Sequence, residues 1–295
     1  HQDTKPLHSE PSLAQAGSLY VVATPIGHLR DITLRALDIL KSVDRIAAED
    51  TRHSRRLLDA HGITGQLTAV HEHNERGAAD RVIGWLRAGE SVALVTDAGT
   101  PAISDPGARV VRAVREAGLP VVPVPGPSAV VTALSAAGLE DTAFHFAGFL
   151  PARQEARRDA LRTLGALTCP AVFYEAPHRI RDTLADLARV LAPSRGVTLC
   201  RELTKVFEQI HETTAAEALA WLDADPNRSR GEFVVILHGA PAGADHAADG
   251  ERVLGILLRD LSPSQAAKAA AEITGAKRGE LYDRALAMRG DAGGE

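Results

Sequence analysis

The 295-residue chain predicts an α/β protein of two domains with a small helical unit at its end, and three observations carry that prediction. Short apolar runs alternate with amphipathic stretches of helical period, the pattern of strands buried by helices on both faces. The chain exceeds the roughly 100–200 residues of one typical domain. A Gly-, Ala-, Pro- and Asp-rich break at 239–250 separates the last strand-like run from two helical patterns with no strand beside them. The expected organisation is a disordered extension at 1–17, α/β domains at 18–125 and 126–238, a linker at 239–250 and a helical appendage at 251–295.

The elements follow in order. His1–Gly17 is polar and without periodicity, hence the extension. Leu19–Ala23 reads as a buried strand. Asp31 is the expected N-cap of a helix over Ile32–Val43, where Leu34, Leu37, Ile39 and Leu40 recur at helical spacing. Arg45–Ala48 is a second strand ending in Glu49-Asp50, and a helix then runs through Arg56 and Leu58. A strand near Leu67–Val70, a helix from Ala78 to Ala88, and strands at Ser91–Val95 and Pro120–Val124 follow, the last two flanking a helix with Val110, Val111 and Val114. This alternation predicts a largely parallel sheet. The second half continues the theme with strands at Phe144–Gly148, Ala171–Tyr174, Val197–Cys200 and Glu232–Leu237. Beyond the break, Ser262-Pro263 starts a helix that Gly275 ends, and another spans Arg278–Met288.

Composition narrows the function classes. No stretch approaches the roughly 18 uninterrupted apolar residues of a membrane span, and no leader pattern is visible, so a cytoplasmic location off the membrane is expected. Cys169 and Cys200 cannot build a disulfide framework and read as small buried hydrophobes. His71-Glu72-His73 places two imidazoles on one strand face but lacks the further ligands zinc takes, so no metal is expected. The net charge of −5 speaks against indiscriminate coating of nucleic acid. Yet 28 of the 33 basic residues are arginine, whose planar fork suits phosphate, so a local RNA-facing patch stays open.

Three unusual loops fall at strand ends, where open α/β sheets bind ligands. They are Ala23–His28, Asp97–Gly107 and Pro125–Ala129. Gly and Pro in such loops hold backbone groups in fixed directions with no side chain in the way. Any one of them alone is an ordinary strand-to-helix turn. Three in one half make a cleft the better reading. No P-loop, no G-x-G-x-x-G after a strand and no G-x-S-x-G occurs, which removes the standard nucleotide and hydrolase signatures.

Thr24-Pro25-Ile26-Gly27, Ala48–Ser54, the Asp97–Gly107 loop, Pro125–Ala129, Tyr174–Arg179, Arg201–Lys205 and Gly231–Val234 resemble, in order, the tetrapyrrole-methylase superfamily. Thr24–Gly27 is similar to its rRNA-methylating branch, whose usual asparagine is replaced here by His28. The resemblance implies two α/β domains with a cofactor cleft between them and a helix-turn-helix-like appendage. It implies S-adenosylmethionine as methyl donor, S-adenosylhomocysteine as product, no metal, and a homodimer acting on small-subunit rRNA or the assembled small ribosomal subunit. The implied acceptor is the ribose 2′-hydroxyl of a cytidine in the decoding region. A methylase of a small tetrapyrrole or corrinoid precursor, a noncatalytic RNA-binding assembly factor and a metal-dependent phosphohydrolase are the rivals.

By that resemblance Pro25, Ile26, Gly27, Asp97, Gly99, Thr100, Ile103, Ser128 and Ala129 line the cofactor site, with Tyr174 and Phe233 from the second domain. Catalytic candidates are Asp50, Arg52, Glu202 and Lys205, with the proton acceptor left open. Asp50 reads equally as a helix cap, and Lys205 as an ion-pair partner of Glu202. Candidate RNA contacts are Arg52, His53, Arg153, Arg157, His178 and Arg179. Arg153, Arg157, Arg158 and Arg162 recur at helical spacing and give one basic face, which Glu155 and Asp159 would otherwise solvate.

Overall fold

A computed structural model describes residues 13–70, 75–97, 99–103, 107–141, 143–241 and 244–290. His71–His73 therefore lies outside the described residues. Strands β1 (Leu19–Val22), β2 (Arg45–Ala48), β3 (Leu67–Ala69), β4 (Val92–Val95) and β5 (Val121–Val124) form a parallel sheet in the order β3-β2-β4-β1-β5. Successive side chains of a strand point to opposite faces, and both faces here are apolar. Tyr20, Val22, Ala93 and Val95 meet Ala36, Ile39 and Leu40 of α1 (Leu34–Ser42) and Leu58 of α2 (Thr51–Ala60). Leu19, Val92 and Leu94 meet Val82 and Leu86 of α3 (Glu75–Arg87) and Val110 and Val114 of α4 (Gly107–Glu116). Helices on both faces explain why these strands read as continuous apolar runs.

Three local expectations are corrected in this domain. Residues 13–17 are tied down: the Ala14 amide donates to Ser42 Oγ (2.9 Å), that of Gln15 to the Tyr20 hydroxyl (2.8 Å), and that of Gly17 to the Glu90 carbonyl (3.1 Å). These bonds remove that segment from the expected disordered extension. The N-cap of α1 is Thr33, whose hydroxyl accepts from the Ala36 amide at 3.1 Å, so the helix starts later than Asp31 would start it. Leu34 consequently faces solvent, 81% exposed.

The second sheet departs from the parallel theme. It joins β6 (His145–Phe149), β7 (Ala171–Glu175), β8 (Gly196–Arg201), β9 (Gln209–Thr214) and β10 (Phe233–Leu237) in the order β6-β7-β10-β8-β9. Only β6 and β7 run parallel, and β10 is antiparallel to both its neighbours. α5 (Ala129–Ala137) packs Val130 and Ala133 on one face, against Val172, Tyr174, Val234 and Ile236. α6 (Gln154–Gly165), α7 (Ile180–Val190) and α8 (Ala218–Asp223) cover the other, around Phe173, Leu199 and Val235.

Three helices follow the second sheet among the described residues. α9 (Ala244–Leu257) begins inside the stretch expected to be linker, so the break is shorter than its composition implied. α10 (Pro263–Thr274) opens on a capping box between Ser262 and Gln265 and closes at Gly275, which takes the left-handed conformation (φ +77°). α11 (Arg278–Gly290) completes a small core of Leu254, Ala266, Ala267, Ala270, Leu281 and Ala285. Among the described residues no helix is long and apolar enough to cross a membrane.

Candidate active site

The loops after β1, β4 and β5 are knitted into one body. The Thr24 amide donates to the Gly99 carbonyl (3.0 Å), and its buried hydroxyl donates to the Thr96 carbonyl (2.8 Å). The Thr100 hydroxyl in turn donates to the Pro127 carbonyl at 2.8 Å. Gly99 has φ +92°, and a Cβ there would lie 2.8 Å from both Ile26 Cγ2 and the Pro127 oxygen. Only glycine meets both the conformation and the spacing. Asp97 is held within this body, with its Oδ1 out of reach of solvent.

Facing these loops across a cleft of ≈ 380 Å³ is the second sheet, a volume within the usual range for small-molecule sites. The first domain contributes Ile26, Glu49 and Asp97 to its wall, and Ala129 joins them from the start of α5. The second contributes an aromatic and apolar side, including Phe149, Tyr174, Cys200, Leu203 and Phe233, with Glu175, Lys205 and Glu232 as its charged groups. Tyr174 meets Phe146 and Phe149 edge-on at centroid distances of 5.0 and 5.5 Å, which fixes its ring. Burial pushes the Cys200 thiol up to about 12, so it stays neutral and serves as wall.

The turn after β7 is shaped by a buried carboxylate. Glu175 accepts from its neighbour's amide at Ala176 (2.9 Å) and from the Thr183 hydroxyl (2.7 Å), and pairs with Arg179 at 3.3 Å. Arg179 also donates to the carbonyls of Leu150 (2.7 Å) and Pro151 (3.0 Å). Arg179 is thus a brace between two loops.

The loop after β8 is strained and charge-locked. Glu202 and Thr204 have φ +50° and +65°, a conformation costly for residues with a Cβ and above all for a β-branched one. Glu202 accepts from Lys205 Nζ and from the Glu232 amide, each at 2.9 Å, and Lys205 also donates to Glu232 at 2.8 Å. Gly231 has φ +88°, where a Cβ is strained and would also meet the Glu202 carboxyl, so the position favours glycine. Burial raises Glu202, but the bonds from Lys205 and the Glu232 amide outweigh it and hold the carboxyl below its usual range. Burial likewise lowers Lys205, yet Glu232 and Glu202 keep it above the usual ammonium range. Lys205 is a fixed cation, not a base. The two domains touch here: the His28 amide donates to Thr204 Oγ1 at 3.1 Å, and a Cβ on Gly27 would lie 2.6 Å from Lys205 Cγ and Thr204 Oγ1.

Of the expected cofactor residues, Ile26, Asp97, Ala129, Tyr174 and Phe233 stand on the cleft wall. Pro25, Gly27, Gly99, Thr100 and Ser128 are not on it and build the loops behind. Ile103 is 54% exposed and is likewise not on it. Among the catalytic candidates Lys205 reaches the cleft, and Glu202 fixes it from behind. Asp50 does not line the cleft; it caps α2, accepting from the Arg52 amide at 2.8 Å, and that bond holds its carboxyl low. Arg52 projects into solvent, 91% exposed, beside an open depression it shares with Thr51, Arg55 and Leu67. His53, Arg153 and His178 are exposed.

Arg157 is the clearest reversal. It is buried, donating from Nε to Asp186 at 2.8 Å and from Nη1 to the Ala152 carbonyl at 3.2 Å, while Arg158 bonds the other Asp186 oxygen at 2.7 Å. The expected basic face is split, because two of its four arginines turn inward to one carboxylate on α7. Sequence reasoning passed over Phe149, Glu175 and Glu232 as wall residues. All but Phe149 sit inside the quoted motifs, so adjacency to a motif strand end was the usable signal. Among the described residues no group of three or more His, Cys, Asp or Glu is arranged to hold a metal ion.

Comparison with known proteins agrees with this geometry. Residues 18–219 match the family model of tetrapyrrole (corrin/porphyrin) methylases, and residues 244–289 match the RsmI C-terminal HTH domain. Ribosomal RNA small subunit methyltransferase I of Escherichia coli O157:H7 is 50% identical over 93% of this chain and 96% of its own. The protein of that name from Xylella fastidiosa is also 50% identical, over 92% of this chain and 99% of its own. Among solved structures, a cobalt precorrin-4 methyltransferase superposes with a TM-score of 0.56 at 15% identity, covering 75% of this chain and 94% of that one. The uroporphyrin-III C-methyltransferase of Thermus thermophilus, in complex with S-adenosylhomocysteine, gives 0.54 at 17% identity over 74% and 96%. These last two show a shared fold.

Proposed function

The chain belongs to the tetrapyrrole methylase family, in the ribosomal RNA small subunit methyltransferase I group, and from that premise we propose that it transfers a methyl group from S-adenosylmethionine to small-subunit rRNA. The acceptor in this reading is the 2′-hydroxyl of a cytidine ribose in the decoding region. The observation that carries it is the near full-length identity to relatives of that name, and the two-sided cleft supports it. The reading includes a homodimer acting in the cytoplasm on the rRNA or the assembled subunit.

The wall fits the methyl donor. Asp97 offers carboxylate oxygens to hydroxyl or amino donors, while Ile26, Ala129, Tyr174 and Phe233 offer the apolar surface a flat ring needs. When bound, the donor supplies an electrophilic methyl on a positively charged sulfur, and its thioether leaves without protonation. The chain's own tasks are alignment, worth about 7–11 kcal/mol in favourable cases, and receipt of the hydroxyl proton. Lys205, fixed as an ammonium, sets positive charge at the cleft where the acceptor oxygen gains negative charge. Exposed Arg52, His53, Arg153 and His178 are the phosphate contacts in this reading.

The test is transfer of labelled methyl from S-adenosylmethionine to small subunits lacking the modification, with 2′-O-methyl positions mapped by reverse-transcription stops. One stop at a decoding-region cytidine is expected. Transfer to a corrinoid precursor and none to RNA would place the chain with the small-molecule methylases. A melting temperature unmoved by S-adenosylmethionine would leave an assembly factor.

A further inference from the structure

The geometry points to Phe149 as the platform on which the base of the acceptor nucleotide stacks, a role that rests on the reading above and that neither the sequence motifs nor the relatives assign. Three aromatic rings, Phe149, Tyr174 and Phe233, line the cleft. Tyr174 and Phe233 are buried, at 8% and 2% exposure, whereas Phe149 is 55% exposed. Phe149 is therefore the ring of this wall with surface open to a ligand arriving from solvent. Single exposed apolar side chains are common on proteins, so exposure by itself assigns nothing. The assignment comes from the way the strand is built to put this ring there.

From Phe146 to Phe149, β6 advances three residues while β7 opposite it advances two, from Val172 to Tyr174. Side chains alternate faces along a regular strand, so a residue three positions after Phe146 would point to the far face of the sheet. Ala147, one position after Phe146, does pack into the core on that far face. The extra residue shifts the register between Phe146 and Gly148 and returns Phe149 to the face of Phe146 and Tyr174. Gly148 permits the bulge, with φ +67°. The edge contact with Tyr174 at 5.5 Å steadies the ring, and the loop that follows is held by Arg179 at its Leu150 and Pro151 carbonyls. The platform is in place before any substrate arrives.

Methylation of a ribose hydroxyl needs the nucleotide held by a part other than the reacting sugar. Proteins that read RNA commonly do this by stacking an unpaired base on an aromatic face. The cleft has the volume of one small-molecule site, which the reading gives to the donor, so the base meets the protein on the solvent-open side, where Phe149 stands. Arg153, exposed at the start of α6 four residues on, offers a guanidinium to an adjoining phosphate from the same segment. Every base has a π face, so Phe149 sets the position of the nucleotide and leaves the choice of base to other contacts.

The experiment compares full-length wild type with Phe149→Ala, Phe149→Leu, Phe149→Tyr and Phe149→Trp on small subunits lacking the modification. Steady-state kinetics give kcat and KM for the subunit, and calorimetry gives the affinity for S-adenosylhomocysteine. Phe149→Ala is expected to lower kcat/KM about 5–150-fold through KM, the loss that follows from removing one base–aromatic stack. Its affinity for S-adenosylhomocysteine stays at the wild-type value. Phe149→Tyr and Phe149→Trp keep a π face and retain the wild-type KM, whereas Phe149→Leu, equally apolar, behaves like Phe149→Ala. A wild-type KM in Phe149→Ala overturns the assignment, and so does a Phe149→Leu that matches wild type. Lost affinity for S-adenosylhomocysteine with an unchanged subunit KM also overturns it, by moving the ring to the donor. Should Phe149→Ala melt early, Phe149→Leu against Phe149→Trp decides by the same two readouts. A wild-type protein that binds the donor and methylates no RNA fails the functional reading itself, a result distinct from these.

Discussion

Replacing Arg157 by alanine separates two views of the basic helix, one in which it grips RNA and one in which it staples α6 to α7. The side chain is 6% exposed and that of its partner Asp186 is 2% exposed, with contacts of 2.7 and 2.8 Å between them. Arg157→Ala removes both, together with the bond to the Ala152 carbonyl, and leaves Asp186 with Arg158 at 2.7 Å and Gln154 at 3.3 Å. Breaking a buried pair by deleting one partner costs about 3–5 kcal/mol, because the remaining charge stays out of water. Arg158 still neutralises Asp186, so the lower end applies, about 3 kcal/mol. At about 2–4 °C per kcal/mol for a protein of this size class, the melting temperature drops by about 6–12 °C. Calorimetry and urea titration read that loss, and filter binding reads subunit affinity on the same protein below its transition. The expected pattern is lost stability with unchanged affinity. A variant that melts with wild type and binds RNA more weakly would refute the structural reading.

Gly27→Ala forces a Cβ into the space of Lys205 and Thr204 and spreads the cleft; kcat/KM for methyl transfer is expected to fall about 100-fold, since misplacement by an ångström has that effect, and steady-state kinetics check it. Ser262→Ala deletes the capping box of α10 and should cost about 1 kcal/mol, read as faster amide exchange in 262–290 with β1–β5 unaffected. Asp44 and Asp186 are both held low in the folded state, the first by Ser91; in the second, burial opposes but Arg158 and Arg157 prevail. Folded values below unfolded ones mean stability present above about pH 4 and lost as pH falls through the folded values. The urea midpoint should therefore drop between pH 6 and 3, and drop less in Arg157→Ala.

Much of the first domain was legible because both faces of β1, β2 and β4 are apolar and the loops between them carry unusual Gly and Pro. The direction of the second sheet was not. β8 and β10 are sandwiched between helices like parallel strands, so their composition is the same whichever way they run. β9 escaped notice because Gln209–Thr214 is a polar edge strand with no unbroken apolar run. In the site, the motif residues marked the right loops but not which side chains face inward. Asp50 and Glu49 are neighbours, and the start of α2 turns the first into a cap and leaves the second on the wall. Arg157 misled for a related reason: helical spacing shows that arginines share a face, while the identity of the facing residue, Asp186, is set by tertiary packing.

The placement of β10 has a consequence for synthesis on the ribosome. The last strand of the second sheet in sequence is its middle strand in space, inserted between β7 and β8. Until Leu237 has emerged, the β6–β7 pair and the β8–β9 hairpin wait with their inner edges unpaired, a state open to wrong partners. Phe233 and Glu232, which finish the cleft, arrive with the same segment. A chain cut short between β9 and β10 is left with an unfinished cleft and two unpaired inner edges. Placing this one five-residue strand both finishes the cleft and pairs the two inner edges of the sheet.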